Sequence, residues 1–178
     1  MAGGFLAAAT QCFPRRGGTE TAKVVPLVED DWILLRTVRL QALRQDPDAF
    51  GSTLQRELQF DEQKWRSRLV TSRWFAVFEG EAPCGIVACM PEEGANVVQV
   101  LALWVAPQYR GRGVVDELIQ AVVASGRRSG IKRLLIWVME DNGRAKQFYD
   151  RLRFRPTGRR SSLDRDPARM ALEMALEF

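Results

Sequence analysis

One stretch near the middle of the chain limits the possible folds most strongly. The apolar run Val97–Val105 is rich in β-branched and aromatic residues, and it ends before Pro107, which has no N–H to give to a strand ladder. Apolar residues at helical spacing resume directly after Gly113. This order predicts a buried strand, a tight glycine-containing turn and a helix that begins at the turn.

The turn has the chemistry of an anion site. The first N–H groups of a helix lack partners within the helix and carry the positive end of its dipole. Gly111 and Gly113 place no side chain in front of these groups, and Arg110 and Arg112 add positive charge. We therefore predict a phosphate or diphosphate ligand. The glycine spacing matches neither the P-loop nor the dinucleotide-binding pattern.

Two sequence blocks, which follow one another along the chain, resemble the signature of the GCN5-related N-acetyltransferases (the GNAT family). The first is Gln-x-x-Gly-x-Gly at 108–113, and the second, 142–154, is similar to N-x-x-A-x-x-x-Y-x-x-x-G-F. A lone Gly-x-Gly would be weak evidence, but both blocks separated by one predicted helix and one strand are specific. The resemblance covers Val25–Phe178. It implies an α/β fold: a mixed, mostly antiparallel twisted sheet of six to seven strands, about four helices on both faces, and splayed central parallel strands.

The resemblance also implies site residues for acetyl-CoA as cosubstrate. The pantetheine arm would bond to the strand edges at Leu103 and Val105, and the Val105 N–H would stabilise the oxyanion of the tetrahedral intermediate. Tyr149 would protonate the departing thiolate, and Asn142 would contact the coenzyme as well as cap its helix. The diphosphate would lie on the N–H groups of the turn and the first helical residues, namely Arg110, Gly111, Arg112, Gly113, Val114 and Val115.

The reaction implied is direct transfer of an acetyl group to a primary amine of a small molecule or a protein, in a ternary complex. A lysine-like amine is protonated at pH 7, and deprotonating it costs about 4–5 kcal/mol, so a base is expected. Gln99 stands where many relatives carry a glutamate. Glu57, Glu173 and a water chain therefore stay open as the base. Because Gln99 is not a base, a second reading also stays open: an acyl-CoA-binding or interaction module of the same fold with little or no transferase activity.

Two further departures from the family pattern concern the coenzyme site and the second block. Val115 is larger than the residue usual at its position, which narrows the diphosphate site but leaves its N–H available. Arg153 replaces a glycine after the second helix. If the backbone is left-handed at Arg153, a non-glycine residue costs about 1 kcal/mol.

Residue counts exclude several other classes of site. The 178 residues include no histidine, which rules out His-based triads and histidine–metal sites. Three cysteines, without metal-ligand spacing, indicate reduced thiols in a cytoplasmic protein, and we expect no metal. No apolar run is long enough to cross a bilayer, so no membrane contact is expected.

The chain reads as one transferase domain, 23–178, after a poorly ordered extension, 1–22. The extension has its arginines after its apolar stretch, unlike a signal peptide. We expect a turn-rich basic segment from Phe154 to Arg169 and a final strand, Met170–Phe178. In such folds the acceptor is selected by the loop between the first two helices and the turn before the last strand, here Asp48–Thr53 and Thr157–Arg169.

A basic run follows the second block, and the net charge is +4. It suits contact with the phosphates of CoA, nucleic-acid binding or an ordinary solvated surface. No aromatic residue interleaves with the arginines from Arg155 to Arg169, which argues against nucleic acid. A homodimer remains open. The run consists of Arg144, Lys146, Arg151, Arg153, Arg155, Arg159 and Arg160.

Overall fold

The structure, a computed structural model, describes residues 23–92, 96–163 and 166–178. The predicted extension, 1–22, lies outside the described residues. One sheet contains seven strands in the order β1-β2-β3-β4-β5-β7-β6. The strands are β1 Lys23–Pro26, β2 Arg73–Glu79, β3 Ala82–Pro91, β4 Val97–Val105, β5 Arg133–Met139, β6 Arg155–Leu163 and β7 Asp166–Glu177. The α-helices of the described residues are α1 Trp32–Gln45, α2 Leu54–Leu58, α3 Glu62–Thr71, α4 Val114–Arg128 and α5 Gly143–Arg151.

The sheet has a hydrophobic core on each face. Helices α1 and α3 cover one face, where Leu35 and Trp65 are fully buried against β2, β3 and β4. Helix α4 covers the other face through Leu118 and Val122, and α5 packs beside it. The predicted α/β architecture, a mixed and mostly antiparallel sheet between two helical layers, is confirmed. Within the described ranges, no helix combines the length and apolar character needed to cross a membrane.

The two central strands diverge. Strands β4 and β5 form the parallel pair, and their ladder covers only Val97–Val100 and Arg133–Ile136. Beyond that point β5 continues along β7, while the rest of β4 pairs with β3 alone. At a rise of about 3.3 Å per residue, the open edge of β4 is about 13 Å long. We refer to this gap between the parted strands as the cleft, and the predicted splay is confirmed.

A bulge in β4 marks the start of the cleft. Trp104 lies opposite Ile86 and Leu101 lies opposite Ala88, so two residues of β4 face one residue of β3. Ala102, inside this bulge, has a φ of 53°. Left-handed backbone at a residue with a Cβ costs about 1–2 kcal/mol. Since the bulge lies where β4 leaves β5, this strain accompanies the opening of the cleft.

The structure corrects the sequence analysis at two elements. The segment after Phe154 is not turn-rich, because β6 spans Arg155–Leu163 and pairs with β7. Nearly all of its side chains are exposed, so it lacks the apolar alternation that identifies a strand, and charged edge strands of this kind resist unwanted pairing. The short α2 was also missed, since five residues are too few for a periodic pattern.

Helices α4 and α5 end in the same way. In both, the backbone makes the two hydrogen bonds of a Schellman motif. The longer-range bond of each motif runs from Ile131 N to Gly126 O at 2.9 Å in α4, and from Phe154 N to Tyr149 O at 3.0 Å in α5. The left-handed residue is Gly130 in α4, with a φ of 74°, but Arg153 in α5, with a φ of 67°. The backbone is thus left-handed at Arg153, which is the condition under which the sequence analysis expects arginine to be unfavourable.

Replacing Arg153 by glycine should stabilise the protein by about 1 kcal/mol, because glycine adopts positive φ without a Cβ clash. For a protein of this size the melting temperature should rise by about 2–4 °C, measured by thermal unfolding. Arg153→Ala is the matched control, since alanine removes the charge but keeps the Cβ. Equal stabilisation by alanine and glycine would assign the effect to charge and contradict the backbone explanation.

Candidate active site

The predicted phosphate turn leads directly into α4. Gly111 and Gly113 have φ values of 76° and 81°, and Gly113 is the residue from which the helix begins. The first intrahelical hydrogen bond runs from Glu117 N to Gly113 O at 3.1 Å, so the N–H groups of the preceding helical residues have no partner within the helix. A Cβ built on either glycine meets no atom within 4 Å. The glycines therefore set the backbone conformation of the turn, and no neighbouring atom crowds the positions that their side chains would occupy.

The two arginines of the turn have partners of their own. The Arg110 guanidinium donates to Val105 O at 2.9 Å and forms a close ion pair with Asp46 at the end of α1. Arg112 lies 3.7 Å from a Glu79 oxygen. Arg110 thus fixes the turn against β4 and α1, and its charge is offset by Asp46. What the turn offers to an anion is therefore mainly the partial positive charge of the helix N–H groups, not a free arginine pair.

The open edge of β4 presents backbone groups to the cleft. Ala106 N donates to Cys84 O at 2.8 Å, which makes Ala106 and Cys84 a hydrogen-bonded pair of the antiparallel ladder. The neighbouring pair, Val105 and Gly85, is then a non-hydrogen-bonded pair, so the backbone groups of Val105 point away from β3. Leu103 lies in the bulge, where β4 has no register partner in β3. The edges at Leu103 and Val105 are those predicted to hold the pantetheine arm.

The second block folds as predicted around α5. The Asn142 side chain caps the helix by accepting from Ala145 N at 3.0 Å, and its amide group keeps its donors for another partner. Tyr149 lies between two rings, with centroids 5.4 Å from Phe148 and 5.5 Å from Phe154. Phe154 is fully buried and is also the residue that completes the Schellman motif. The strained end of α5 therefore fixes the ring of the predicted catalytic tyrosine.

Burial raises the pKa of Tyr149 above its ordinary value. The phenol consequently keeps its proton at neutral pH. A thiolate leaving group has a conjugate acid with a pKa near 8.5, well below that of the phenol. Tyr149 is thus suited to donate a hydrogen bond to the negative charge that develops on sulfur. Complete transfer of its proton to the thiolate is unfavourable, because the phenol has the higher pKa.

Glu57, one of the residues left open as a base, is already used by a buried ion cluster. Its carboxylate accepts from Arg39 at 3.0 and 3.2 Å and from Arg68 at 2.7 Å, and its exposed fraction is 1%. Burial alone would raise the pKa of Glu57, but hydrogen bonds and charge from Arg39 and then Arg68 lower it below its ordinary range. A carboxylate held in its charged form in this way is a poor proton acceptor.

Glu173, the other carboxylate left open, is also occupied. It is 3% exposed and accepts from Thr157 Oγ1 at 2.8 Å and from Arg159 at 3.0 Å. Gln99 is buried on β4 and donates to Leu135 O at 3.3 Å, across the last paired part of β4 and β5. Neither glutamate therefore offers a free base, and Gln99 serves to hold the two strands together where they begin to part.

Sequence analysis missed two acidic residues at the start of α4. Asp116 and Glu117 lie in its first turn, beside the predicted diphosphate position. Carboxylates stabilise a helix N-terminus, but they also repel a phosphate bound there. The residues were visible in the sequence directly after the glycines. Their negative charges would repel a bound diphosphate, so the attraction of the helix N–H groups for the anion must exceed this repulsion.

The described thiols are not nucleophiles. Burial, followed by the charge of Glu79, raises the pKa of Cys84 to about 11, and burial raises the pKa of Cys89 to about 11. Both side chains are buried and remain protonated at neutral pH. Within the described ranges, His, Cys, Asp and Glu side chains form no group of three or more suited to a metal ion.

Comparison with known proteins identifies the class. The model of the acetyltransferase (GNAT) family matches residues 40–154, well over half of the chain. The chain belongs to this family. It is also 29% identical over 96 residues to an uncharacterized N-acetyltransferase of Methanocaldococcus jannaschii, covering 51% of this chain. The matched part spans 42% of the length of that curated relative.

Solved structures share the fold at low sequence identity. An acetyltransferase of the GNAT family from Streptococcus pneumoniae superposes with a TM-score of 0.74 at 14% identity, covering 88% of this chain and 99% of the other. The PaiA N-acetyltransferase of Thermoplasma acidophilum, solved in complex with coenzyme A, gives a TM-score of 0.68 at 15% identity, with 89% and 99% covered. These likenesses establish the GNAT fold of the chain.

In the folded protein, Cys84 and Cys89 should resist alkylation by iodoacetamide at neutral pH, because both thiols are buried and protonated. Peptide mapping by mass spectrometry, with the same reaction in denaturant as the control, measures the modified fraction. Rapid modification of either residue in the folded state would show an activated thiol and would reopen a covalent mechanism.

Proposed function

We propose that the protein transfers an acetyl group from acetyl-CoA to a primary amine of a small molecule or a protein, by direct attack in a ternary complex. Two observations carry this proposal: α4 starts at Gly113 with N–H groups that have no partner within the helix, and β4 pairs with β5 only as far as Val100, which leaves a cleft between the two strands. Membership of the acetyltransferase family supports it.

Each part of this site binds a different part of the coenzyme. The N–H groups from Arg110 to Val115 hold the diphosphate, because the first turn of a helix favours anions. The edges of Leu103 and Val105 pair with the amides of the pantetheine arm as a neighbouring strand would. Asn142 uses its free amide donors, and Val115 packs its side chain on the core of the α4 face, which leaves its N–H exposed to the ligand.

Catalysis is assigned to hydrogen-bond donors and to placement of the amine. The Val105 N–H stabilises the oxyanion, and Tyr149 donates to the thiolate as it leaves. Neither Glu57 nor Glu173 replaces the missing base, so a water chain removes the proton, or the acceptor amine is weakly basic. The raised pKa of both described thiols supports attack by the amine itself.

The second candidate is an acyl-CoA-binding module without transferase activity. Gln99 favours it, since its amide is not a base and is already bonded to Leu135 O. An assay with acetyl-CoA and a panel of amines of differing pKa, in which the release of CoA thiol is measured, separates the transferase from the binding module. Transfer is expected to rise with pH in the range where the amine loses its proton. Tight CoA binding without turnover on any amine would favour the module.

Tyr149→Phe should reduce kcat by about 10- to 100-fold, toward the low end of acid catalysis because a thiolate leaves readily. The Kd for CoA should change little, since the ring contacts with Phe148 and Phe154 remain. Tyr109→Phe, which removes the hydroxyl of the other tyrosine, is the control and should retain most activity. Loss of CoA affinity together with turnover in Tyr149→Phe would contradict the proposed acid role.

A further inference from the structure

Trp137 lies at the closed end of the cleft. It is the first residue of β5 beyond the stretch that pairs with β4, and it is half-buried. Its neighbours in sequence, Ile136 and Val138, belong to the core on the α4 face, so Trp137 points to the opposite face of the sheet. The Trp137 ring therefore borders the cleft on the face opposite α4, the side from which an acceptor would approach a coenzyme that enters from the α4 side.

An arginine is held beside this ring in a fixed position. The Arg159 guanidinium lies 5.8 Å from the centroid of the Trp137 ring and donates to Glu173 Oε1 at 3.0 Å. Glu173 is the register partner of Trp137 and lies on the same face of the sheet. The Arg159 side chain is 66% exposed and Glu173 is 3% exposed, so a buried carboxylate anchors a guanidinium whose remaining donors face solvent.

The backbone around Arg159 supports the same orientation. The register between β6 and β7 shifts between Pro156 and Arg160, and Gly158 in this bulge has a φ of 87°. Thr157 Oγ1 accepts from Arg159 N at 3.2 Å and donates to Glu173 Oε2 at 2.8 Å. A bulge commonly redirects a side chain, and here it turns Arg159 onto the face that carries Trp137.

The partners of Arg159 differ from those of the other arginines of the basic run. Arg160 pairs with Glu140, Arg155 lies near Asp150, and both carboxylates are largely or partly exposed. Only Arg159, of the described members of this run, combines a buried carboxylate with an aromatic face at the cleft. The charged group offered to an acceptor at the closed end of the cleft is thus a guanidinium and not a carboxylate.

We propose that Arg159 is a specificity-determining residue that binds a carboxylate of the acceptor, with Trp137 packing on the acceptor's apolar body. The acceptor class is then a free amino acid with an apolar side chain, in which amine and carboxylate are close together, and not a polyamine. A guanidinium binds a carboxylate through parallel N–H donors. Because Glu173 and Trp137 already hold the Arg159 side chain, binding an acceptor costs little further side-chain freedom. This inference rests on the proposed acetyl transfer.

The test compares amino acids with their primary amides, for example leucine with leucinamide and phenylalanine with phenylalaninamide. The ratio of kcat/KM for acid and amide is measured in the wild-type protein and in Arg159→Gln. Differences in amine pKa between acid and amide are the same for both proteins, so they cancel in the ratio of ratios. The wild type should favour the acids by about 10- to 100-fold relative to Arg159→Gln.

Two further variants separate recognition from folding. Arg160→Gln removes a neighbouring exposed arginine of the same strand and should leave the acid-to-amide ratio unchanged. Arg159→Lys keeps the charge without the planar fork and should retain part of the preference. Loss of activity on acids and amides alike, together with a lowered melting temperature, would show that Arg159 only stabilises the β6–β7 hairpin, and would overturn the proposal.

Product binding gives a readout that does not need turnover. Calorimetry of N-acetyl-leucine and N-acetyl-leucinamide against the CoA-saturated protein should show tighter binding of the acid in the wild type and equal binding in Arg159→Gln. Transfer to amides with no preference for acids would overturn this inference while leaving acetyl transfer intact. Failure of transfer to every amine would instead count against the proposed function, and equal binding of the two products would still refute the role of Arg159.

Discussion

The separation of β4 from β5 is the constraint on which the rest of the site depends. A strand edge inside a sheet is normally paired, and an unpaired edge is costly unless another group satisfies it. Here the ladder stops after Val100, and a bulge with a strained Ala102 carries β4 away from its neighbour. Helix α4 then begins at the far end of the same open edge. In the proposed function, backbone donors along this edge and at the helix N-terminus together bind an extended ligand with an anionic group at one end.

Arginine–carboxylate pairing decides which charges remain available around this site. Glu57 is bound by Arg39 and Arg68, Glu173 by Arg159, and Asp46 by Arg110. Such pairs place side chains and helices but leave few free carboxylates near the cleft. The proposed site therefore relies on hydrogen-bond donors, among them the guanidinium N–H groups that Arg159 does not use on Glu173. In the proposed reaction, proton removal from the amine falls to water or to the chemistry of the acceptor itself.

Much of the fold and part of the site followed from sequence patterns. Strand β4 was predicted at its observed bounds, and helix α4 at its observed start, because apolar periodicity, Pro107 and Gly113 agree with one another. Strand β6 was missed because its exposed, charged side chains carry no alternation. The pairing of Glu57 and Glu173 could not be predicted, since their partners lie 11 to 18 residues away in sequence and meet them only through the packing of different elements.

Calorimetry of CoA compared with pantetheine tests the central assignment most directly. Pantetheine carries the arm that would fill the cleft but lacks the diphosphate that would bind the start of α4. The account predicts measurable binding of CoA and binding of pantetheine weaker by about 100-fold or more, because charge-assisted hydrogen bonds to the helix N-terminus are lost. No heat with CoA, or equal affinity for the two compounds, would contradict it.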